Sequence, residues 1–160
     1  MPVIFTCCLL RPPPTDVFTA AELRAIVTHP LVLSNKHVLE QASAGINQVD
    51  FELPLTASMQ EKIAAAFELP SLSRDTFPLR FVRGDLASHV DTSDSSTYLL
   101  YLTDGDGELV IGDEAFAMRS NRGYVFSQGT PHHTRRTLGS YRLLLGPMNS
   151  RGLAVGNGGK

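Results

Sequence analysis

His89 and Asp91 lie in the stretch "FVRGDLASHVDTSDSSTYLLYLTDGDGELVIG", residues 81 to 112, and form a His-x-Asp pair that could bind a metal ion. On an extended chain, residues i and i+2 project to the same side. An imidazole and a carboxylate so placed can take one cation as adjacent ligands. A second imidazole from elsewhere would complete a two-His, one-carboxylate face on an octahedral ion. The opposite positions would stay open to O₂ and a co-substrate, an arrangement suited to Fe(II). The pair alone is weak, because His-x-Asp arises easily by accident and suits the polar start of a strand equally well. Residues C-terminal to the pair must decide between the two.

The second imidazole must come from "TPHHTRR", where His132 and His133 are consecutive. Neighbours on a strand face opposite ways, so only one of them can share an interior with His89. Ten residues beyond His132 stands Arg142, inside the apolar run "YRLLLGP". An arginine there is costly unless paired. A co-substrate carboxylate would pair with it, since the guanidinium fork takes both oxygens.

The elements that must position these groups divide near residue 76. Before it, "TAAELRAIVTH" opens with Thr19 and Glu22 at capping-box spacing and predicts a helix. "SMQEKIAAAF" repeats the device with Ser58 and Glu61, "INQVDFEL" between them reads as a strand, and "RPPPT" (11 to 15) as an extended connector. After it the chain reads as short strands divided by turns at "DGDG", "SNRG" and "SQGTP". "TYLLYLT" and "YRLLLG" are apolar on both faces, which predicts central strands. This pattern predicts an α+β, mainly β, single domain over 1–160, with helical and strand support in 1–76, a sandwich or jelly-roll core in 77–148 and a C-terminal tail in 149–160.

In these residues the C-terminal half resembles the Fe(II)- and 2-oxoglutarate-dependent oxygenases, closest in pattern to their prolyl 4-hydroxylase-like branch. The resemblance rests on His89-Val90-Asp91, a distal His132 and a basic Arg142, and covers roughly residues 77 to 148. It implies a double-stranded β-helix, a cupin-like barrel, with the N-terminal helices packed outside. It implies Fe(II) held by His89, Asp91 and His132, with 2-oxoglutarate and O₂ as co-substrates. Arg142 and Tyr101 would hold the far carboxylate of 2-oxoglutarate, Leu99 and Leu109 would line its carbon chain, and Thr134 would share the face of His132. The reaction implied is hydroxylation of a C–H bond, in a protein side chain or small molecule, with release of succinate and CO₂. His133 would stand nine residues before Arg142, a spacing the family also uses, so the choice between the two histidines stays open. "DGDG" lacks the paired glycines common before the fourth strand of relatives.

Two other functions fit the same residues. A cupin-like metal protein using no 2-oxoglutarate would have no need of Arg142, and a degenerate barrel could bind without turnover. Net charge is −2 with only three lysines, so nucleic acid is not an expected partner. No apolar run is long enough to span a bilayer. "MPVIFTCCLL" reads as a buried strand, and adjacent Cys7 and Cys8 as free thiols, which points to a reducing, cytoplasmic compartment. The substrate and the oligomeric state are not specified.

Overall fold

The computed structural model describes residues 9–72, 74–92 and 96–157, with the backbone alone for 91–92 and 156–157. The expected N-terminal strand with Cys7 and Cys8 therefore lies outside the described residues. Among the described residues, three helices and ten strands succeed one another in order: α1 (Ala20–Val27), α2 (Pro30–Gln41), β1 (Gln48–Pro54), α3 (Ala57–Phe67), β2 (Thr76–Arg83), β3 (Asp91–Thr92), β4 (Ser96–Tyr101), β5 (Glu108–Ile111), β6 (Glu114–Ala117), β7 (Arg122–Ser127), β8 (His132–Arg135), β9 (Tyr141–Met148) and β10 (Gly156–Asn157).

Helix α1 starts where its capping box predicts, with Thr19 accepting from the Glu22 amide and Glu22 reaching back to the Thr19 amide. Helix α3 corrects one expectation: its cap is Thr56, whose side chain accepts from the Met59 amide, and not Ser58. Helix α2 is absent from the sequence expectation. His29 caps it, accepting from the Leu31 amide through Nδ1, and Pro30 fills the first turn, where no amide is needed. His37 lies inside this helix.

The sheets are antiparallel throughout. Five strands run in the order β1-β2-β9-β4-β7, three in the order β6-β5-β8, and β10 pairs with β3. β4 and β9, apolar on both faces, are internal as expected. Alternation divides their side chains between two cores. Tyr98, Leu100, Leu143 and Leu145 join the helices, where the Phe67 ring meets Tyr98 edge-on at 5.4 Å. Leu99, Tyr101 and Leu144 join Leu109 and Ile111 of the smaller sheet. The C-terminal segment is anchored as far as Asn157. Val155 is buried, and Gly156 and Asn157 pair with Thr92 and Asp91. Among the described residues, no helix is long and apolar enough to cross a membrane.

Gly107 closes the loop between β4 and β5 at φ +82°. A Cβ there would run into the backbone of Arg135 and Arg136. Gly107→Ala is expected to destabilise the fold by about 2–3 kcal/mol, through both the left-handed φ and the overlap. Urea denaturation of the two proteins measures it.

Candidate active site

His89 and His132 come together across the fold. They form a reciprocal antiparallel bridge, each amide donating to the other's carbonyl at 3.0 Å, and their rings lie 4.1 Å apart between centroids. Strand β8 settles which histidine faces inward. Against β5 its register sets His132 opposite Ile111 and Thr134 opposite Leu109, all four buried, while His133 is opposite Val110 and half-exposed. The ring of Phe126 packs on the other side of His132, at 4.8 Å.

Each of the paired rings is oriented by a backbone carbonyl. Nδ1 of His89 lies 3.0 Å from the Ala87 oxygen, and Nδ1 of His132 lies 3.0 Å from the Thr130 oxygen. A carbonyl only accepts, so each Nδ1 donates, and in the neutral ring the lone pair is then on Nε2. That tautomer is the one in which imidazole ligates a metal through Nε2 with its other nitrogen anchored. Asp91 opens β3 two residues after His89, and its side chain lies outside the described residues. Among the described residues, no three His, Cys, Asp or Glu side chains are grouped to hold a metal ion.

Arg142 is the largest fully buried side chain, only 1% exposed. Its Nη2 donates to the Gly84 carbonyl at 2.9 Å and to Thr134 Oγ1 at 3.0 Å, whereas buried Nε and Nη1 have no partner in ordinary hydrogen-bond geometry, Tyr101 interacting with the guanidinium only more weakly. Burial lowers its pKa, opposed by the neighbouring Tyr101 and Asp85. A buried guanidinium with unmet N–H groups is costly unless an anion meets it. Tyr101 is buried beside it, and that burial pushes its phenol well above the ordinary range, so the hydroxyl stays protonated and can donate.

Arg142, His89, His132, Tyr101, Leu99 and Leu109 all line one cavity. The structure thus gathers every predicted site residue whose side chain it describes, Thr134 included. The open space between the walls is small, about 30 Å³. A larger groove of about 560 Å³ runs along α3 beside Gln60 and Arg74, and none of these site groups faces it.

Thr134 braces the site. Its hydroxyl oxygen accepts from the Leu86 amide at 2.8 Å and from Arg142. Thr134→Val keeps the volume but strands both donors. A loss of about 1–3 kcal/mol in thermal or urea unfolding is the expected result.

Among the lining residues outside the predicted set, one carries a buried charge. Arg80 of β2 lines the same cavity, 7% exposed, and grips Asp50 of β1 through Nε at 2.6 Å and Nη2 at 3.3 Å. The sequence does carry a signal for it, since Arg80 sits within the apolar run "FPLRFVRG" as Arg142 sits within its own.

Comparison with known proteins is informative at the level of fold. No protein-family model matches the chain, and no curated protein sequence does. A prolyl-4-hydroxylase from Pseudomonas putida is similar in structure, with a TM-score of 0.57 at 16% identity over 84% of this chain and 89% of that one. That likeness establishes an overall fold in common with an oxygenase of known structure. A salicylate 1,2-dioxygenase from Pseudaminobacter salicylatoxidans overlaps at a TM-score of only 0.39 and 13% identity, with a third of its length covered (33%), and carries no argument.

Proposed function

We propose that the chain is an Fe(II)- and 2-oxoglutarate-dependent dioxygenase built on a double-stranded β-helix, which hydroxylates a C–H bond of its substrate. The observation that carries this reading is Arg142, buried with Nε and Nη1 unpartnered in the cavity that also holds the paired histidines. A cavity walled by an anchored imidazole pair and an unmatched guanidinium asks for a cation and an anion together. Iron and 2-oxoglutarate would supply the oxidising power, with succinate and CO₂ as co-products.

In this reading His89 and His132 hold iron through Nε2, and Asp91 supplies the carboxylate ligand. Arg142 takes the far carboxylate of 2-oxoglutarate on its unmatched edge. Tyr101 donates its hydroxyl to the same group. Leu99 and Leu109 flank the carbon chain and keep water from it, while Thr134 fixes the guanidinium plane. A cupin-type metal protein without 2-oxoglutarate leaves Arg142 unexplained.

Anaerobic titration with Fe(II) and 2-oxoglutarate tests the reading. The expected result is a visible charge-transfer absorption that needs both components, with succinate release on admitting O₂ and substrate. Metal binding with no response to 2-oxoglutarate would favour the cupin-type reading.

A further inference from the structure

We infer that Arg80 holds a carboxylate of the primary substrate, so that the substrate is a small molecule with a free acid group, not an internal residue of a protein chain. The inference rests on the dioxygenase reading above for the word substrate, but the binding it asserts stands on separate atoms. Asp50 uses the Nε–Nη2 edge of the Arg80 guanidinium, two of its five N–H groups. The opposite edge, Nη1 with the outer Nη2 hydrogen, forms a second fork of the kind that takes a carboxylate end-on.

Strand register sets Arg80 apart from the 2-oxoglutarate position. Val82 of β2 pairs with Arg142 of β9, whereas Arg80 pairs with Leu144, two residues earlier on β2 and two later on antiparallel β9. Arg80 thus lines the same cavity as His89 and His132 from a position displaced from Arg142. It also lines a neighbouring cleft of about 190 Å³, and Pro147 is the other residue the two spaces share. Pro78, Ala154 and Val155 give that cleft an apolar wall, and Asp50 and Glu52 line it as well, so the acid group must lie at Arg80 and not in the cleft itself. Arg80 therefore stands where the metal-side cavity meets a compartment that could hold the body of a small substrate.

Asp50 is the counter-charge for an empty site. Its side chain is 55% exposed whereas that of Arg80 is 9% exposed, so the pair is held from the solvent side by a carboxylate that water screens. An incoming carboxylate on the inner fork competes electrostatically with it but does not have to displace it.

The test is calorimetric titration of the full chain, without metal, using N-acetyl-L-amino acids and their matching primary amides as probes. At least one acid is expected to bind, with its amide about tenfold or more weaker. Acid binding should persist in Arg142→Met, which lacks the diacid-binding group, and vanish in Arg80→Met. Arg80→Lys, checked by circular dichroism alongside Arg80→Met, retains the charge but not the fork and should also weaken the acid. Asp50→Asn should tighten it, a sign that a purely structural ion pair would not give. Equal binding of acids and amides, no binding of any acid, retention in Arg80→Met or loss in Arg142→Met each overturns the assignment. Failure of the dioxygenase reading appears separately, as wild-type protein that does not bind 2-oxoglutarate.

Discussion

His132→Ala is expected to abolish iron binding, while His133→Ala leaves it intact. The two residues are neighbours in sequence, yet the pleat sends only His132 to the ring of His89, 4.1 Å away between centroids. Disturbing a residue that merely orients a metal ligand typically lowers affinity about 10- to 100-fold. Removing one of the ligands themselves should exceed that, and with it should go the absorption that Fe(II) and 2-oxoglutarate produce together. His132 is also packed against Phe126, so a void could loosen the barrel by itself. His132→Asn keeps more of the volume and separates the two effects. Equilibrium dialysis with Fe(II) under anaerobic conditions, run beside urea unfolding of the same variants, reads both. Iron held equally well by His132→Asn and wild type would remove this histidine from the metal site.

The site is legible in the sequence because its chemistry is expensive. An arginine inside an apolar strand needs a reason to be there, and the spacing of Arg142 from His132 and the His89–Asp91 pair supplies one. The choice between His132 and His133 stays open in the sequence only because a strand's phase is unknown until one residue is fixed. Thr134, two positions on and buried with His132, fixes it. The fold is less legible where burial is sparse. Helix α2 buries Val32 and Leu39 while Leu31, Leu33 and Val38 are exposed, so it has no apolar stripe to detect. The cap of α3 misleads for a different reason. Ser58 has the glutamate that makes a capping box, but Thr56 comes directly after the strand β1 and Leu55, which fixes where the helix can begin. The glycine-rich C-terminus lacks side chains that would signal a strand, and its place beside β3 depends on backbone pairing. Arg80 and Asp50 meet through the register of β1 on β2, which no local pattern encodes.

Arg142→Met should leave the protein at least as stable as wild type but bind 2-oxoglutarate at least about 30-fold more weakly. The unliganded protein carries the cost of Nε and Nη1 buried without partners, in addition to the desolvation of the guanidinium charge. Methionine fills comparable space with no charge to desolvate. Two Nη2 hydrogen bonds are lost, each of about 1 kcal/mol net, but Thr134 Oγ1 retains the Leu86 amide as a donor. Exchanging a buried charge for an apolar side chain is often neutral or stabilising by about 1–4 kcal/mol, whereas stripping a partner from a buried ion pair costs about 3–5 kcal/mol. The first case applies, because no carboxylate within salt-bridge distance of Arg142 is seen among the described residues. The diacid has the opposite dependence. Losing its charged partner should cost about 2–5 kcal/mol of binding, roughly 30-fold to several thousandfold. Urea unfolding with and without 2-oxoglutarate measures both at once: ligand at 100 times the wild-type Kd should add about 2.7 kcal/mol to wild type and less than about 1 kcal/mol to the variant. A variant that is much less stable yet still gains from the diacid would show that Arg142 holds the fold together and that the co-substrate binds elsewhere.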